Sequence, residues 1–488
     1  MESLKEKTAK GLFWGAMNNG TVQVLNIVFG IFLGRLLTPA DYGIVGVLTI
    51  FTLIAGNLQS SGFSQALVNL NPPTHRDYNS VFWFNVIASL CIYAVLFACA
   101  PLIADYFHQP CLVAVSRFVF LGFVISSLGI VQNAYMIKNM MNREIAIIGF
   151  IALLISGITG IILALNKMAY WSLAWQQIVY ITVMNIGRSF YTRWYPSLHI
   201  DFGPVRHMLP FSVKILVTNI INTISTNILT FIFGRLFPIK EVGNYTQAYN
   251  WDAKANSFIS GTLMQIAQPV LASLNDERQR EQRIFRKLMR FTAFLSFPVM
   301  LGFMLVAHEF ILLTIGEQWT DSIPLLQVLC IGGAFVPFYA LYQNLAISSG
   351  RSDIYMWCNI AQIVLLIALI LLLHSRGMFT MVCAYSLFTI LWLAVWQRFA
   401  HRLIGLRLWE TLKDILPFFL ISAGVMVVTW LLTRPIANLW LLLISRVLVA
   451  AVLYVGIMWL LRVEIFKECI QFIKKKGRVS DLNETAKA

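Results

Sequence analysis

The chain has 488 residues, of which 58% are hydrophobic and 12% charged, and its formal net charge is +15. A soluble chain is about one quarter charged; here apolar runs recur from end to end and leave no stretch long enough for a soluble domain. In a soluble protein the basic balance would suggest nucleic acid, but these Lys and Arg residues sit in short connections between apolar runs and build no basic face, so nucleic-acid binding is set aside.

Residues 1–10 are polar and basic. The apolar run after them is too long for a signal-peptide core and lacks a small-residue cleavage site, so it is expected to stay as the first span. A membrane span needs about 20 apolar residues. In chain order the expected spans are 11–33, 43–68, 81–104, 112–135, 145–165, 169–187, 208–233, 244–272, 291–315, 322–349, 354–374, 378–397, 415–432 and 439–461. Spans five and six are joined by three residues and form a tight hairpin. The expected fold class is therefore all-α, a polytopic membrane protein of about 14 helices. Pro269, Pro298, Pro324 and Pro337 lie inside these spans and are expected to kink them. The cysteines Cys91, Cys99, Cys111, Cys330, Cys358, Cys383 and Cys469 form no CxxC pair and read as small hydrophobes. No metal-ligand cluster and no cofactor motif is present in the sequence.

With the N-terminus placed in the cytoplasm, 27 Lys and Arg fall on cytoplasmic segments and six on the opposite face. That imbalance predicts an even span number with both ends inside. Residues 188–207, with Pro196, Gly203 and Pro204, read as a cytoplasmic linker. The strongly basic stretch 275–290 reads first as a topology signal beside anionic headgroups, and alternatively as a contact for an anionic substrate.

Comparing the chain with itself at an offset of 200 reveals a repeat. Gly34-Arg35-Leu36 recurs as Gly234-Arg235-Leu236, Asp41 meets Glu241 and Gly43 meets Gly243. Asn19 meets Asn219, Ser60 meets Ser260 and Gln65 meets Gln265. Six spans intervene, so the copies share one orientation and form a parallel repeat about an axis along the membrane normal. The expected domains are a six-helix lobe over 1–190, a linker over 191–207, a second six-helix lobe over 208–400, two additional helices over 401–462 and a basic cytoplasmic tail over 463–488. A paired arrangement of this kind suits a transporter with a site near mid-membrane.

Polar side chains within spans must face protein or water. Span seven carries Lys214, Thr218, Asn222 and Ser225 on one face, with Asn219 on a neighbouring stripe. Span one carries Asn18, Asn19, Gln23 and Asn26; span two carries Asn57, Ser60 and Gln65. Span eight carries Tyr245, Tyr249, Asp252 and Asn256 on one stripe and Lys254 on another, so Asp252 and Lys254 are not expected to pair. Spans one, two, seven and eight are thus the polar ones, and together they are expected to line one cavity. For each Ser, Thr, Asn or Gln the bland alternative is an interhelical hydrogen bond. Arg117, Lys214 and Arg446 lie near span ends and alternatively snorkel. Arg35 and Arg235, at the outer ends of spans one and seven, either cap helix C-termini or guard the outer mouth.

The segment Phe32-Leu33-Gly34-Arg35-Leu36-Leu37-Thr38-Pro39-Ala40-Asp41-Tyr42-Gly43 resembles the start of polysaccharide flippases of the Wzx type. So do Glu241-Val242-Gly243-Asn244-Tyr245 and Gln268-Pro269-Val270-Leu271-Ala272-Ser273-Leu274. These proteins belong to the multidrug/oligosaccharidyl-lipid/polysaccharide exporter superfamily, and the likeness extends over nearly the whole chain, nearest the colanic-acid and teichuronic-acid exporters. The resemblance implies two six-helix lobes working by alternating access on an undecaprenyl-diphosphate-linked oligosaccharide, carried from the inner to the outer leaflet of a bacterial plasma membrane. It implies that Lys254, Lys214, Arg35, Arg117 and Arg235 attract the diphosphate or acidic sugars, and that the last two spans offer a groove for the lipid tail. No motif assigns the driving ion; Asp252 is the candidate for a proton- or cation-coupling group. Partners would be membrane lipids and a polysaccharide polymerase or export machinery, with no cofactor. The alternatives are a cation-coupled multidrug exporter of the same superfamily, and a membrane enzyme, for which the sequence offers no catalytic carboxylate constellation.

Overall fold

The computed structural model describes residues 4–70, 72–272 and 278–468; within its helices the side chains of residues 4–19, 55, 58–61, 211, 214, 215, 218, 225, 258, 262–272, 278 and 352 lie outside that description. Among the described residues there is no strand. The helices are α1 (Leu4–Leu36), α2 (Pro39–Asn69), α3 (His75–Tyr106), α4 (Leu112–Ser127), α5 (Ile130–Lys138), α6 (Asn142–Leu165), α7 (Trp171–Thr192), α8 (Gly203–Leu236), α9 (Ile239–Ala272), α10 (Arg278–Thr314), α11 (Ser322–Gly333), α12 (Val336–Ser348), α13 (Ser352–Leu372), α14 (Met378–Ile404), α15 (Leu408–Thr433) and α16 (Leu439–Leu460). Each of the fourteen expected spans falls on one of these helices or on a consecutive pair, α4–α5 or α11–α12.

Eight helical segments are long and apolar enough to cross a membrane, and the bent pair α4–α5 makes a ninth. Among the described residues α1, α2, α7, α8 and α9 fall short of that mark. Four of those five are the spans that the sequence marks as polar. Fourteen crossings are therefore consistent with the helices, but apolarity alone does not set that number. The chain is a multi-pass membrane protein.

Local chemistry explains where the helices start and break. Asp41 Oδ2 accepts from the Thr38 backbone N–H at 2.9 Å and from its hydroxyl at 2.7 Å, closing a capping box at the start of α2. Thr74 and Asp77 repeat the device at α3. The α4–α5 bend of 45° has an identifiable wedge. Asn185 of α7 donates its side-chain amide to the Ile125 carbonyl and fills the space beside Gly129, where a Cβ would collide with it. The expected proline kinks are realised unevenly. Pro337 opens α12 just after the break at Ala334 and Phe335, whereas α10 runs through Pro298 and Pro324 sits in the first turn of α11, where a missing N–H costs nothing. Pro269 lies outside the described side chains.

The chain forms two compact units, one holding the residues up to Gln247 together with Thr314–Gln318, the other Ala248–Leu313 and the chain from Trp319 on. Within the first unit α2 lies along α8, and α6 packs against α1 and α7. Within the second, α14 packs against α11, α12 and α13, and α15 against α16. The expected linker is strapped down inside the first unit. Asn79 donates to the His199 carbonyl at 2.6 Å and accepts from the Ser197 N–H at 2.9 Å, and Trp83 Nε1 donates to the Ser197 carbonyl at 2.7 Å. Asp201 accepts from the Gly203 N–H at 2.8 Å and from Arg76 Nε at 2.5 Å. The Gly203 N–H, then Arg76, hold the Asp201 carboxyl below the usual carboxylate range. This tie is therefore present at neutral pH and is lost as pH falls through the lowered value.

The repeat has a direct structural expression in the first unit. A Cβ on Gly43 would collide with the Ile239 carbonyl oxygen, and one on Gly243 with the Pro39 carbonyl oxygen. Residues 39 and 239 correspond under the 200-residue offset, so the two contacts are reciprocal, as across a two-fold axis. A Cβ on Gly34 would lie 2.6 Å from Ile315 Cγ2 and 3.3 Å from Gln247 Nε2; on Gly234 it would lie 2.5 Å from Val47 Cγ1 and 2.8 Å from Phe107 Cε1. Val47 and Gln247 correspond as well. Gly46 faces Thr246, its own counterpart, with a built Cβ 2.7 Å from Thr246 Oγ1. Only residues without a Cβ allow backbones this near. Gly243→Ala is expected to lower stability by about 1–3 kcal/mol through overpacking against a carbonyl that cannot move aside. Gly20→Ala, with nothing within 4 Å, is expected to be neutral or to gain up to about 1 kcal/mol of helix propensity. Thermal unfolding in detergent distinguishes the two, and equal melting temperatures would contradict the seam.

Candidate functional site

In the first unit the two repeat arginines do matching jobs. Arg35 Nε donates to the Thr314 carbonyl, the last of α10, at 2.6 Å. Arg235 Nη1 donates to the Tyr106 carbonyl, the last of α3, at 2.9 Å, contacts the His108 ring nitrogen and lies 5.2 Å from the Tyr106 ring centroid. Each therefore caps a helix C-terminus, where the dipole and the unsatisfied carbonyls favour a cation. The capped helices hold like positions, α3 following α2 and α10 following α9. Gln318 adds to the first tie, donating to the Gly34 carbonyl at 2.8 Å and to the Leu37 carbonyl at 2.9 Å. Both arginines remain exposed.

Among the expected cavity residues, Asn57 reaches across from α2 to α8, donating to Thr223 Oγ1 at 2.5 Å and to the Asn219 carbonyl at 3.3 Å. Gln23, Asn219 and Asn222 are half-buried and Gln65 is exposed. Arg117 is engaged locally, its guanidinium 4.1 Å from the Phe97 ring centroid and its Nε 3.4 Å from the Phe97 carbonyl, so it is not brought together with the others. The side chains of Asn18, Asn19, Lys214 and Gln265 lie outside the description.

In the second unit Asp252 and Asn256, one helical turn apart on α9, are both buried. Asn256 Nδ2 donates to Asp252 Oδ2 at 3.2 Å. The other oxygen of each, Asp252 Oδ1 and Asn256 Oδ1, has no protein partner. Gly333, at the end of α11 before the break, makes room for them: a Cβ there would collide with Asp252 Oδ1 and lie 2.7 Å from Asn256 Nδ2. Tyr249, Tyr385 and Cys330 lie near enough to interact with the carboxyl electrostatically. Lys254 points elsewhere. Its Nζ sits 4.0 Å from the Trp251 ring centroid, and Trp251 meets Phe310 edge-on at 4.9 Å. A half-buried ammonium over an indole face is stabilised by the ring quadrupole, and among the described residues Lys254 and Asp252 form no ion pair.

Two charge clusters went unread in the sequence. Arg446 of α16 is buried against Glu309 of α10: Nη1 donates to Glu309 Oε1 at 2.8 Å and to the Leu305 carbonyl at 3.0 Å, and Nε lies 3.4 Å from Thr433 Oγ1. At the other end of α10, Arg286 forks onto Asp414 at 2.6 and 3.3 Å and reaches Glu410 at 3.2 Å. Arg290 lies 3.6 Å from Asp414, and Lys287 bonds Glu468 at 2.7 Å. Three of the cations in the basic stretch are thus paired with carboxylates. The available signal was the pair of lone opposite charges, Glu309 and Arg446, in two otherwise apolar spans.

A family model described as "Polysaccharide biosynthesis protein" matches residues 32–324, more than half of the chain. The chain belongs to this family. Its relatives include the lipopolysaccharide biosynthesis protein WzxC of Escherichia coli (strain K12), 26% identical over 376 residues and aligned over 76% of each chain. The teichuronic acid biosynthesis protein TuaB of Bacillus subtilis (strain 168) is 22% identical over 458 residues, covering 88% of this chain and 90% of that one. Among solved structures, the lipid II flippase MurJ in an inward closed conformation superposes with a TM-score of 0.76, covering 93% of this chain and 99% of its own at 13% identity. An inward-facing multidrug resistance MATE transporter of the MOP superfamily gives 0.61 over 83% of this chain and 95% of its own at 15% identity. These likenesses establish the fold of this family member.

Removing one partner of the buried Arg446–Glu309 pair strands a charge. Arg446→Leu is expected to cost about 3–5 kcal/mol, and the double variant Arg446→Leu/Glu309→Leu clearly less. Unfolding midpoints of both variants measure this. A double variant as unstable as the single would mean that the pair is not the source of the loss.

Proposed function

We propose that this protein is a flippase that carries an undecaprenyl-diphosphate-linked oligosaccharide, the repeat unit of a surface polysaccharide, from the inner to the outer leaflet of the bacterial plasma membrane by alternating access. Relatives named for lipopolysaccharide and teichuronic acid biosynthesis support the cargo class. The physical need is clear: ionised phosphates and a sugar head face an insertion cost of roughly tens of kcal/mol by Born estimates if they enter hydrocarbon bare. A hydrated path along the polar helices α1, α2, α8 and α9 removes most of it. In this reading 1–190 and 208–400 act as two six-helix lobes joined by 191–207, with 401–462 as an added pair and both termini in the cytoplasm. Lys254 supplies cationic attraction along the path, with Lys214 assigned the same role, and Asp252 is the coupling group.

The observation that carries the mechanism is the reciprocal glycine seam. Gly43 and Gly243 at the starts of α2 and α9, with the Arg35 and Arg235 caps beside them, form a contact that relates the two repeat copies. With the termini inside, the seam lies at the outer face, so an outward-opening step must part it. A built Cβ on Gly46 lies 3.4 Å from Thr246 Cβ, close to the roughly 3.5–4.5 Å of a disulfide. In a background with its seven cysteines replaced by alanine, the double variant Gly46→Cys/Thr246→Cys is expected to cross-link, to stop export of the polysaccharide and to regain export on reduction. Undiminished export by the cross-linked protein would sink the mechanism.

The cargo path is tested separately. Lys254→Ala should lower export at least about tenfold, the worth of one partly desolvated charge contact, while the protein still reaches the membrane at normal abundance. Lipid-linked repeat units should then accumulate on the cytoplasmic face. Wild-type export would remove Lys254 from the path.

A further inference from the structure

A cavity of about 860 Å³ lies within the second unit, lined from α10, α11, α14, α15 and α16. One end is polar and holds the Arg446–Glu309 pair, with His308 Nδ1 3.6 Å from Glu309 Oε1. The rest is mainly apolar, including Leu301, Met304, Phe419 and Met426, with Gln327 of α11 as a further polar residue. Glu309 lies five residues before the end of α10 and Arg446 seven after the start of α16. At a rise of about 1.5 Å per residue both are only about 8–10 Å from those helix ends. That is the depth at which headgroups give way to chains. Leu301 and Phe419 lie about 20 Å from the corresponding ends of α10 and α15, so the cavity is a shaft with a polar top. It is open on the α15 side: Val427 and Trp430 on its wall are 57% and 45% exposed.

The polar top is built and incomplete. Glu309 is 3% exposed; its Oε1 takes Arg446, and its Oε2 has no protein partner. Arg446 uses Nη1 and Nε on protein acceptors, and its Nη2 makes no hydrogen bond among the described residues. The pair as a whole is neutral and presents one free acceptor beside one free donor edge. A buried carboxylate oxygen demands a donor. A bare hydrocarbon tail would leave it unmet, and a diphosphate would meet a carboxylate of its own sign. A zwitterionic head with an ammonium and a phosphate satisfies both.

We propose that this cavity holds one aminophospholipid of the surrounding membrane, with an acyl chain in the shaft, the ammonium on Glu309 Oε2 and the phosphate on Arg446. The site is independent of the cargo. Its occupant is a resident lipid that fills the shaft between α10 and the α15–α16 pair.

The purified full chain, stripped of lipid in detergent, is titrated with phosphatidylethanolamine and with phosphatidylglycerol of the same acyl chains, and bound lipid is counted by native mass spectrometry. One phosphatidylethanolamine per chain is expected, held about ten- to a hundredfold more tightly than phosphatidylglycerol, as one charge-assisted hydrogen bond would give. Glu309→Gln should erase that preference. Because Glu309→Gln also touches the ion pair, Ala423→Trp provides the second arm: it fills the shaft without altering a charge and should abolish retention of the lipid with the melting temperature kept. Equal retention of the two lipids, no retention of either, or a preference that survives both variants would overturn the site. Displacement of the bound lipid by undecaprenyl phosphate at equal concentration would instead assign the shaft to the cargo tail and overturn it as well.

Discussion

The carbonyl oxygens of Pro39 and Ile239 occupy the space where side chains on residues 243 and 43 would stand. Two helix starts can approach this closely only where neither carries a Cβ, and the same requirement holds in both directions across the contact. Much of the first unit is arranged around it. The Thr38–Asp41 capping box fixes the start of α2 on one side. Gly34 and Gly234 sit a few residues upstream, each pressed against a residue that the 200-residue offset relates to the other's neighbour. Arg35 and Arg235 then tie these helix ends to the last carbonyls of α10 and α3. A contact made of backbone and capped carbonyls has little side-chain freedom, so it is held in one geometry or released as a whole. That is the behaviour a gate requires, and a mobile side-chain contact would not provide it.

Much of this was legible in the sequence because the residues that carry it are those for which nothing can substitute. Gly-Arg-Leu twice at a fixed interval announced the repeat. All fourteen apolar stretches fell on helices because hydrocarbon leaves the backbone no other way to satisfy itself. What the sequence obscured was long-range pairing. Asn57 finds Thr223, and Asn185 finds the Ile125 carbonyl, and neither spacing contains a hint of the partner. The reading of Asp252 and Lys254 as non-partners followed from helical geometry, but that Lys254 rests on Trp251 depends on a rotamer that no pattern reveals. The prolines divided for a related reason: the Phe294 carbonyl that Pro298 leaves without an N–H accepts from the Tyr454 hydroxyl at 2.8 Å, a long-range contact that lets α10 pass through, whereas Pro337 opens α12 just past a break.

The basic stretch shows how a charge run changes meaning once its surroundings are known. As sequence it is a block of like charge facing the cytoplasm. In the fold, Arg286, Lys287 and Arg290 are drawn into contacts with Glu410, Asp414 and Glu468. A topology signal needs only the count of positive charges during insertion, so the same residues remain available for pairing afterwards. The half-exposed members of this network contribute little each; the buried Asp414, which Arg286 and Arg290 share, makes their part of it directional.

Arg286 and Glu309 stand 23 residues apart on α10, about 35 Å along the helix, roughly the thickness of the membrane's apolar core. One pairs with α15 and the other with α16. The α15–α16 pair is therefore pinned to α10 by an ion pair near each end of that helix, with a largely apolar shaft between the pins. Packing between apolar helices in lipid has no hydrophobic drive of its own, and a helix pair held only by apolar contact would be free to drift. Charges placed at both ends resist sliding and tilting together. Any displacement of α10 then carries α15 and α16 with it, and the shaft keeps its shape only while both pins hold.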